Sequence, residues 1–317
     1  VEGAAAFILC LRLMPEYGFA DGLFHSIFLS ISAFCNAGFD AFGFPNSIEP
    51  YIADPVINFT IMALITVGGL GFSVVLDVIH RPAHGRLLMH TRIVLMMSGA
   101  LFLSGALLIA VLEWNNPATL GRPDLNPAEK IMAACFQSVT LRTAGFDTIG
   151  QGDLTPAGQL VSIIYMFIGA SPASTGGGLK TTTFFVILVS VVTIIRQRPD
   201  YNYRRRRFGE PLVKKALAIF VLALFLVIGD TVILSALEYW NGGDETMVEL
   251  LFEVVSAFGT VGLTTGITPE LHDISKFLLI VTMFCGRVGL LTITMALSGG
   301  SKKDAAVHYP EERVMIG

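Results

Sequence analysis

A short glycine-centred run occurs three times in this 317-residue chain, each time between apolar stretches. The copies are Ser32-Ala33-Phe34-Cys35-Asn36-Ala37-Gly38-Phe39, Ser138-Val139-Thr140-Leu141-Arg142-Thr143-Ala144-Gly145-Phe146 and Ser256-Ala257-Phe258-Gly259-Thr260-Val261-Gly262-Leu263. Each has a small residue, a short gap, then Asn or Thr, a small aliphatic, Gly and a large hydrophobe. A single glycine turn is ordinary in any protein. Three copies at matching places in the apolar pattern point to one local structure built three times. Gly at a fixed step implies a φ that residues with side chains avoid.

The surroundings decide what that structure is for. The chain is 53% hydrophobic and 15% charged, with a mean hydropathy of +0.67, against about 25% charged residues in soluble domains. This is a membrane protein. Non-helical backbone at membrane depth is tolerated only where it is buried in protein or lines a watery path. The Thr260-Val261-Gly262 copy reads like the T-V-G-Y-G run in which successive carbonyls replace the water shell of a potassium ion. The candidate ion-facing residues are Asn36, Ala37, Gly38 and Phe39; Thr143, Ala144, Gly145 and Phe146; and Thr260, Val261, Gly262 and Leu263. The net charge of -4 says little about partners. Cys10, Cys35, Cys135 and Cys285 form no C-x-x-C pair and read as small buried hydrophobes.

The expected fold is an all-α membrane protein of repeated helix, pore helix, filter and helix units around a central pore. Asp21 to Phe34, Ala128 to Thr140 and Thr246 to Ala257 are too short to span and read as pore helices, because a crossing needs about 20 residues. Their C-terminal ends, partly negative, would face the ion. Pro55 to Val78, Arg92 to Trp114, Lys214 to Trp240 and Ser275 to Ser298 read as spans, with Gly68, Gly69 and Gly71 as close-packing points. The units run over 1–90, 91–208 and 209–300, followed by a tail at 301–317. Val1 to Met14 is too short to span and reads as the tail of a helix whose start is missing.

Basic residues gather between units, at Arg81, Arg86 and Arg92 and from Arg196 to Lys215, and again in the tail. The positive-inside bias makes these segments and the C-terminus cytoplasmic. The opposite loops carry Asp40, Glu49, Asp54, Asp147, Asp153, Asp244 and Glu245, which would concentrate cations at an outer mouth.

One apolar run, Leu160 to Ile195, is interrupted by residues 169–183. Pro172 and Gly176, Gly177 and Gly178 cannot sustain a helix. The stretch also holds Thr175 and the intramembrane cation Lys180. A polar unwound loop below the filter reads as a gate. A phosphate-binding loop would need Gly directly before the Lys, where this chain has Leu179. Arg287, inside another apolar helix, would bond the loop's carbonyls or repel ions; it could also simply snorkel.

The three glycine runs, the Ser174-Thr175-Gly176-Gly177-Gly178-Leu179-Lys180-Thr181-Thr182-Thr183 loop and Met283-Phe284-Cys285-Gly286-Arg287-Val288-Gly289 together resemble the Ktr/Trk superfamily of potassium transporters, over essentially the whole chain. The closest resemblance is to the membrane subunit of bacterial Ktr systems. It implies four units around one pore, the first of them absent from this chain, with one filter glycine per unit, at Gly38, Gly145 and Gly262. It also implies a gating loop over 169–183 with Arg287 beside it. Further implications are a homodimer in the plasma membrane, a cytosolic nucleotide-binding regulatory ring of the KtrA kind, and potassium uptake stimulated by sodium. No organic cofactor and no nucleic acid partner are expected. The alternatives are a Trk-type subunit or a non-conducting scaffold that anchors the ring. A membrane enzyme is disfavoured, since the six His form no H-E-x-x-H pair.

Overall fold

Apolar runs too long for a strand, in surroundings that offer the backbone no water, can only satisfy their amides internally. The computed structural model describes residues 1–43, 47–204, 206–289, 292 and 295, and it is accordingly dominated by helices. In chain order these are α1 (Glu2–Phe34), α2 (Pro55–Leu70), α3 (Phe72–His84), α4 (Met89–Glu113), α5 (Pro127–Thr140), α6 (Pro156–Phe167), α7 (Thr181–Ile195), α8 (Glu210–Asn241), α9 (Met247–Gly259) and α10 (Asp273–Val288). One antiparallel hairpin, β1 (Asn202–Tyr203) with β2 (Arg206–Arg207), joins α7 to α8. The all-α expectation missed it. Tyr203 pins the hairpin, with its ring edge-on to Phe185 at 5.0 Å and its hydroxyl donating to Met96 Sδ at 3.2 Å.

Helix starts follow from local chemistry. Asp54 accepts from the amides of Val56 and Ile57, and Thr155 accepts from Gly158. Asn126 with Glu129 and Thr246 with Glu249 form reciprocal caps. The residues between α3 and α4 end at Leu88, so the expected unit boundary at 90 falls inside the first turn of α4.

Among the described residues, α4 and α8 are each long and apolar enough to cross a membrane. Their outward side chains are bare hydrocarbon: Leu103 is 68% exposed, Val111 69% and Phe225 73%. The span expected over Pro55 to Val78 is broken in two within its glycine run. α2 and α3 meet at Gly71 (φ 88°) with a 96° bend. α10 (Asp273–Val288) is followed by a turn at Gly289 (φ 92°), and most of the remainder of the expected span to Ser298 lies outside the described residues. The tail at 301–317 lies outside the described residues. α1 holds both of its expected segments, with the chain turning at Gly18 (φ 82°, ψ 179°). Cys35 is exposed rather than buried.

Among the described residues, the two largest of five apolar clusters hold the helices that carry the glycine runs. One joins α1, α2 and α5 around Leu13, Ile57, Ile61 and Phe136. The other joins α6, α8, α9 and α10 around Met166, Phe252 and Phe258. Gly68 and Gly286 are contact points in them. A Cβ on Gly68 would strike the Phe34 carbonyl, and one on Gly286 the Phe258 carbonyl.

The loops opposite the arginine-rich face are tied by buried acids. Glu113, at the end of α4, accepts from Asn116 Nδ2 (2.7 Å), Thr119 Oγ1 (2.9 Å), Thr155 N (3.0 Å) and Thr155 Oγ1 (2.6 Å). Several acids expected to collect cations are engaged in the structure itself. Asp54 caps α2 and pairs with Arg12 at 2.5 Å, Glu49 pairs with Arg122, and Asp40 accepts from Phe42 N at 3.1 Å. Asp147 is half-buried and accepts from Gln151 Nε2 at 2.6 Å.

Two outcomes follow for these loops. Glu113→Ala leaves four donors without their acceptor and lowers unfolding stability by about 3 kcal/mol, whereas Glu113→Gln loses less; thermal unfolding in detergent measures both. Desolvation of the loop residue Asp147, opposed by Gln151 and reinforced by Glu49, raises its pKa to about 7. A raised carboxyl pKa favours the protonated folded form. The penalty is therefore absent at low pH, grows above the ordinary carboxylate value and is complete above about 7. Asp147→Asn should gain on the parent by about 2–4 kcal/mol between pH 5 and pH 8. An equal stability difference at both pH values contradicts this assignment.

Candidate functional site

The three glycine runs adopt one backbone course. Asn36 (φ 50°), Thr143 (φ 72°) and Thr260 (φ 49°) turn the chain left-handed as α1, α5 and α9 end. Two residues later Gly38 (φ 73°), Gly145 (φ 84°) and Gly262 (φ 91°) again take a φ that favours glycine.

In each run a single hydroxyl residue brackets the glycine. The Ser32 carbonyl accepts from Ala37 N (2.9 Å), while Ser32 Oγ donates to the Phe39 carbonyl (2.6 Å). Thr140 does the same with Ala144 N (3.0 Å) and the Phe146 carbonyl (2.6 Å). Ser256 does it with Val261 N (2.9 Å) and the Leu263 carbonyl (2.6 Å). The expected alignment put Ser138 in this place. Ser138 instead donates to the Phe102 carbonyl on α4, and Thr140 is the equivalent residue. The second run is one residue shorter between hydroxyl and glycine, so aligning from the glycine backwards with a single gap finds Thr140.

The three loops meet. A Cβ built on Gly38 would lie 2.5 Å from the Ala144 carbonyl oxygen and 2.8 Å from Gly145 Cα. One built on Gly145 would lie 3.1 Å from Gly38 Cα, 3.5 Å from Gly262 Cα and against the Val261 carbonyl. The three glycines thus sit side by side, backbone against backbone, with Gly145 between Gly38 and Gly262. Just before the glycines, Asn36 Nδ2 donates to Thr143 Oγ1 at 3.3 Å. Asn36 Oδ1 and Thr260 Oγ1 are buried oxygens without a protein donor.

The segment between α6 and α7 lies against these same residues. α6 stops at Phe167 and α7 starts at Thr181. In between, Leu179 N donates to Phe167 O (3.3 Å) and Thr181 N to Ala170 O (3.3 Å), folding the segment back on itself. Its glycines permit the approach. A Cβ on Gly176 would strike Thr143 Oγ1, and one on Gly177 would strike Thr260 Oγ1. Thr175 Oγ1 donates to the Phe34 carbonyl at 3.4 Å. On the far side, Pro172 and Ala173 pack into the α2–α3 corner: Ser171 N donates to Gly69 O (3.2 Å) and Phe72 N to Ala173 O (3.1 Å).

Two cations hold consecutive carbonyls of the segment. Lys180 Nζ donates to Gly176 O at 2.6 Å, and the Arg287 guanidinium donates to Thr175 O. Gly178 (φ 69°) supplies the turn between the bonded carbonyls and Lys180. All seven candidate gate residues therefore lie on or against one segment. The buried Arg142 of the second run points elsewhere, donating from Nη2 to Ser98 Oγ on α4 at 3.1 Å.

Comparison with known proteins places this geometry in context. The TrkH family profile, described as cation transport protein, matches residues 3–309. The chain is 40% identical to Ktr system potassium uptake protein B of Bacillus subtilis (strain 168), over 100% of this chain and 69% of that protein. It is 38% identical to the protein of the same name in Vibrio alginolyticus, over 100% of this chain and 68% of that one. It is 35% identical to the potassium/sodium uptake protein NtpJ of Enterococcus hirae, over 100% of this chain and 69% of that protein. The crystal structure of the potassium transporter TrkH from Vibrio parahaemolyticus has a like fold, with a TM-score of 0.70 at 20% identity, covering 93% of this chain and 61% of that one.

Proposed function

The chain belongs to the TrkH family of cation transport proteins, and from that premise we propose that it carries potassium across the plasma membrane through an axial path formed by the three glycine loops. The supporting observation is their juxtaposition: three left-handed glycines with Gly145 lying against both Gly38 and Gly262, each bracketed by a hydroxyl residue at the C-terminal end of a short helical segment. Backbone oxygens from Asn36 to Gly38, Thr143 to Gly145 and Thr260 to Gly262 are the ion's ligands. Side-chain oxygens of Asn36, Thr143 and Thr260 form its inner exit. Helix C-termini carry partial negative charge, which lowers the cost of placing a cation there. The units over 1–90, 91–208 and 209–300 surround this axis.

The segment from Gly169 to Thr183 is the gate in this reading. It sits against Thr143 and Thr260, below the glycines, and is held by Lys180 and Arg287. Flow is passive, driven by the electrochemical gradient, and no bond is made or broken. The relatives' name, protein B of a Ktr system, supports a partner subunit, and in this reading the chain works as a homodimer regulated by a cytosolic nucleotide-binding ring of the KtrA kind. The relative named for potassium and sodium supports a role for sodium. The arginine-rich face is the cytosolic one. The competing reading is a scaffold that anchors the ring and conducts nothing.

Tracer uptake by liposomes containing the full-length protein separates the two, since a scaffold gives no potassium flux. Within that assay Gly262→Ser should reduce potassium-over-sodium selectivity by roughly tenfold, the equivalent of about 1.4 kcal/mol. Unchanged selectivity sinks the carbonyl-filter reading.

Deleting Ala173 to Gly178 should raise maximal flux while leaving the potassium KM nearly unchanged, because the glycine loops are untouched. A deletion protein that folds and conducts no faster than the parent demotes the segment to a packing element.

A further inference from the structure

Four arginines on the basic face surround a cleft that the ion path does not use. Arg86 lies before α4 and Arg92 in its second turn, while Arg204 and Arg206 come from the β1–β2 hairpin. With Met89 and Tyr203 they line a cavity of 360 Å³. The acids of the hairpin flanks are committed elsewhere: Asp200 pairs with Arg207 at 2.9 Å and Glu210 with Lys214 at 2.7 Å. Among the described residues, none of the four lining guanidiniums has a carboxylate partner. Four like charges held around one small volume repel each other unless an anion joins them.

The hairpin is a built part of the protein rather than a loose loop. Tyr203 is wedged against Phe185 and bonded to Met96, and Phe208 N donates to Tyr201 O at 2.8 Å. Arg204 follows that anchored residue and Arg206 pairs with it across the hairpin, so the anchor keeps both over the start of α4.

A second cavity, of 390 Å³, lies beside the first. The two share Met89. It runs between α4, α7 and α8 and is walled by Ile93, Val186, Phe208, Leu212 and Ile219, with Lys215 also in its lining. A multivalent cationic cup that continues into an apolar crevice matches an amphiphile with a phosphate at one end and hydrocarbon at the other. It does not match a free anion, which would leave the crevice unfilled, or an acidic peptide, which would present polar backbone to it.

We infer that this paired cleft binds an anionic phospholipid from the leaflet on the arginine-rich side, with its phosphate among Arg86, Arg92, Arg204 and Arg206 and an acyl chain between α4, α7 and α8. Basic pockets beside membrane helices recognise such headgroups through charge-assisted bonds. The chain would then touch Thr182 and Thr183, in the first turn of α7.

Native mass spectrometry of the full-length protein, given phosphatidylglycerol or phosphatidylcholine with the same acyl chains, tests this without reference to transport. The parent should retain phosphatidylglycerol at least tenfold more strongly than phosphatidylcholine. Arg92→Gln with Arg206→Gln should abolish the preference, and Ile219→Trp, which fills the crevice and spares every arginine, should weaken retention of phosphatidylglycerol. Inorganic phosphate at the lipid's concentration should not displace it. Equal retention of the two lipids by the parent, unchanged preference in the double variant, unchanged retention in the crevice variant, or displacement by phosphate alone each overturns the assignment.

Discussion

Everything at the centre of this protein hangs on a hydroxyl used three times. Ser32, Thr140 and Ser256 each fix the amide before a glycine through their carbonyl and the carbonyl after it through their side chain. In water such bonds contribute about 1 kcal/mol net, because solvent competes for both partners. Enclosed by packed helices, the same groups would cost several times that if left unpaired. The bracket therefore lets an irregular backbone exist at depth. Outer-loop anchors follow the same register. Three residues before the clamp, Gln137 donates to Gln151 (2.6 Å), while Glu253 accepts from Thr264 Oγ1 (2.7 Å), Thr265 N (2.9 Å) and Thr268 Oγ1 (2.6 Å). The first copy has the apolar Leu29 there, and its outer loop is held instead by Asp54 and Arg12.

Much of the helical layout was legible because apolar run length and glycine placement are strong local signals. Residues 168–180 fall outside helices where Pro172 and the triple glycine predict it. What escaped the sequence is just as specific. Thr140 was hidden by a one-residue difference in spacing. The glycines of Gly68-Gly69-Leu70-Gly71 were read only as contact points. Gly68 is one, but Gly71 is a corner, and composition alone does not separate a glycine that needs space from one that needs φ. The hairpin was hidden because arginine-rich sequence has weak strand propensity; it forms where Tyr203 finds an aromatic partner far away in the chain. The outer acids looked free because their partners, Arg12, Arg122 and Gln151, are not read off the neighbouring residues by any pattern.

Electrostatics divides the molecule along the axis. The glycine loops are reached through helix C-termini, which favour a cation. Directly beneath, Lys180 and Arg287 press positive charge onto carbonyls of the unwound segment. Two cations there compensate the dipoles of a segment that has no helix to absorb them. An ion leaving the loops inward would meet both charges while the segment is in place. On the proposed reading, attraction above and repulsion below would together make a closed state.

The corner at Gly71 gives that segment a mechanical partner. Backbone bonds from Ser171 to Gly69 and from Phe72 to Ala173 rivet the segment to both arms of the corner, and Pro172 lies against the very glycine that turns it. The segment cannot slide away from the axis as a free flap. It must shear those rivets or swing α3 with it, so its displacement and the tilt of α3 form a single coordinate. Because α3 continues toward the arginine-rich face, a force applied there would reach the axis through a crank, with no need for any ligand to touch the ion path.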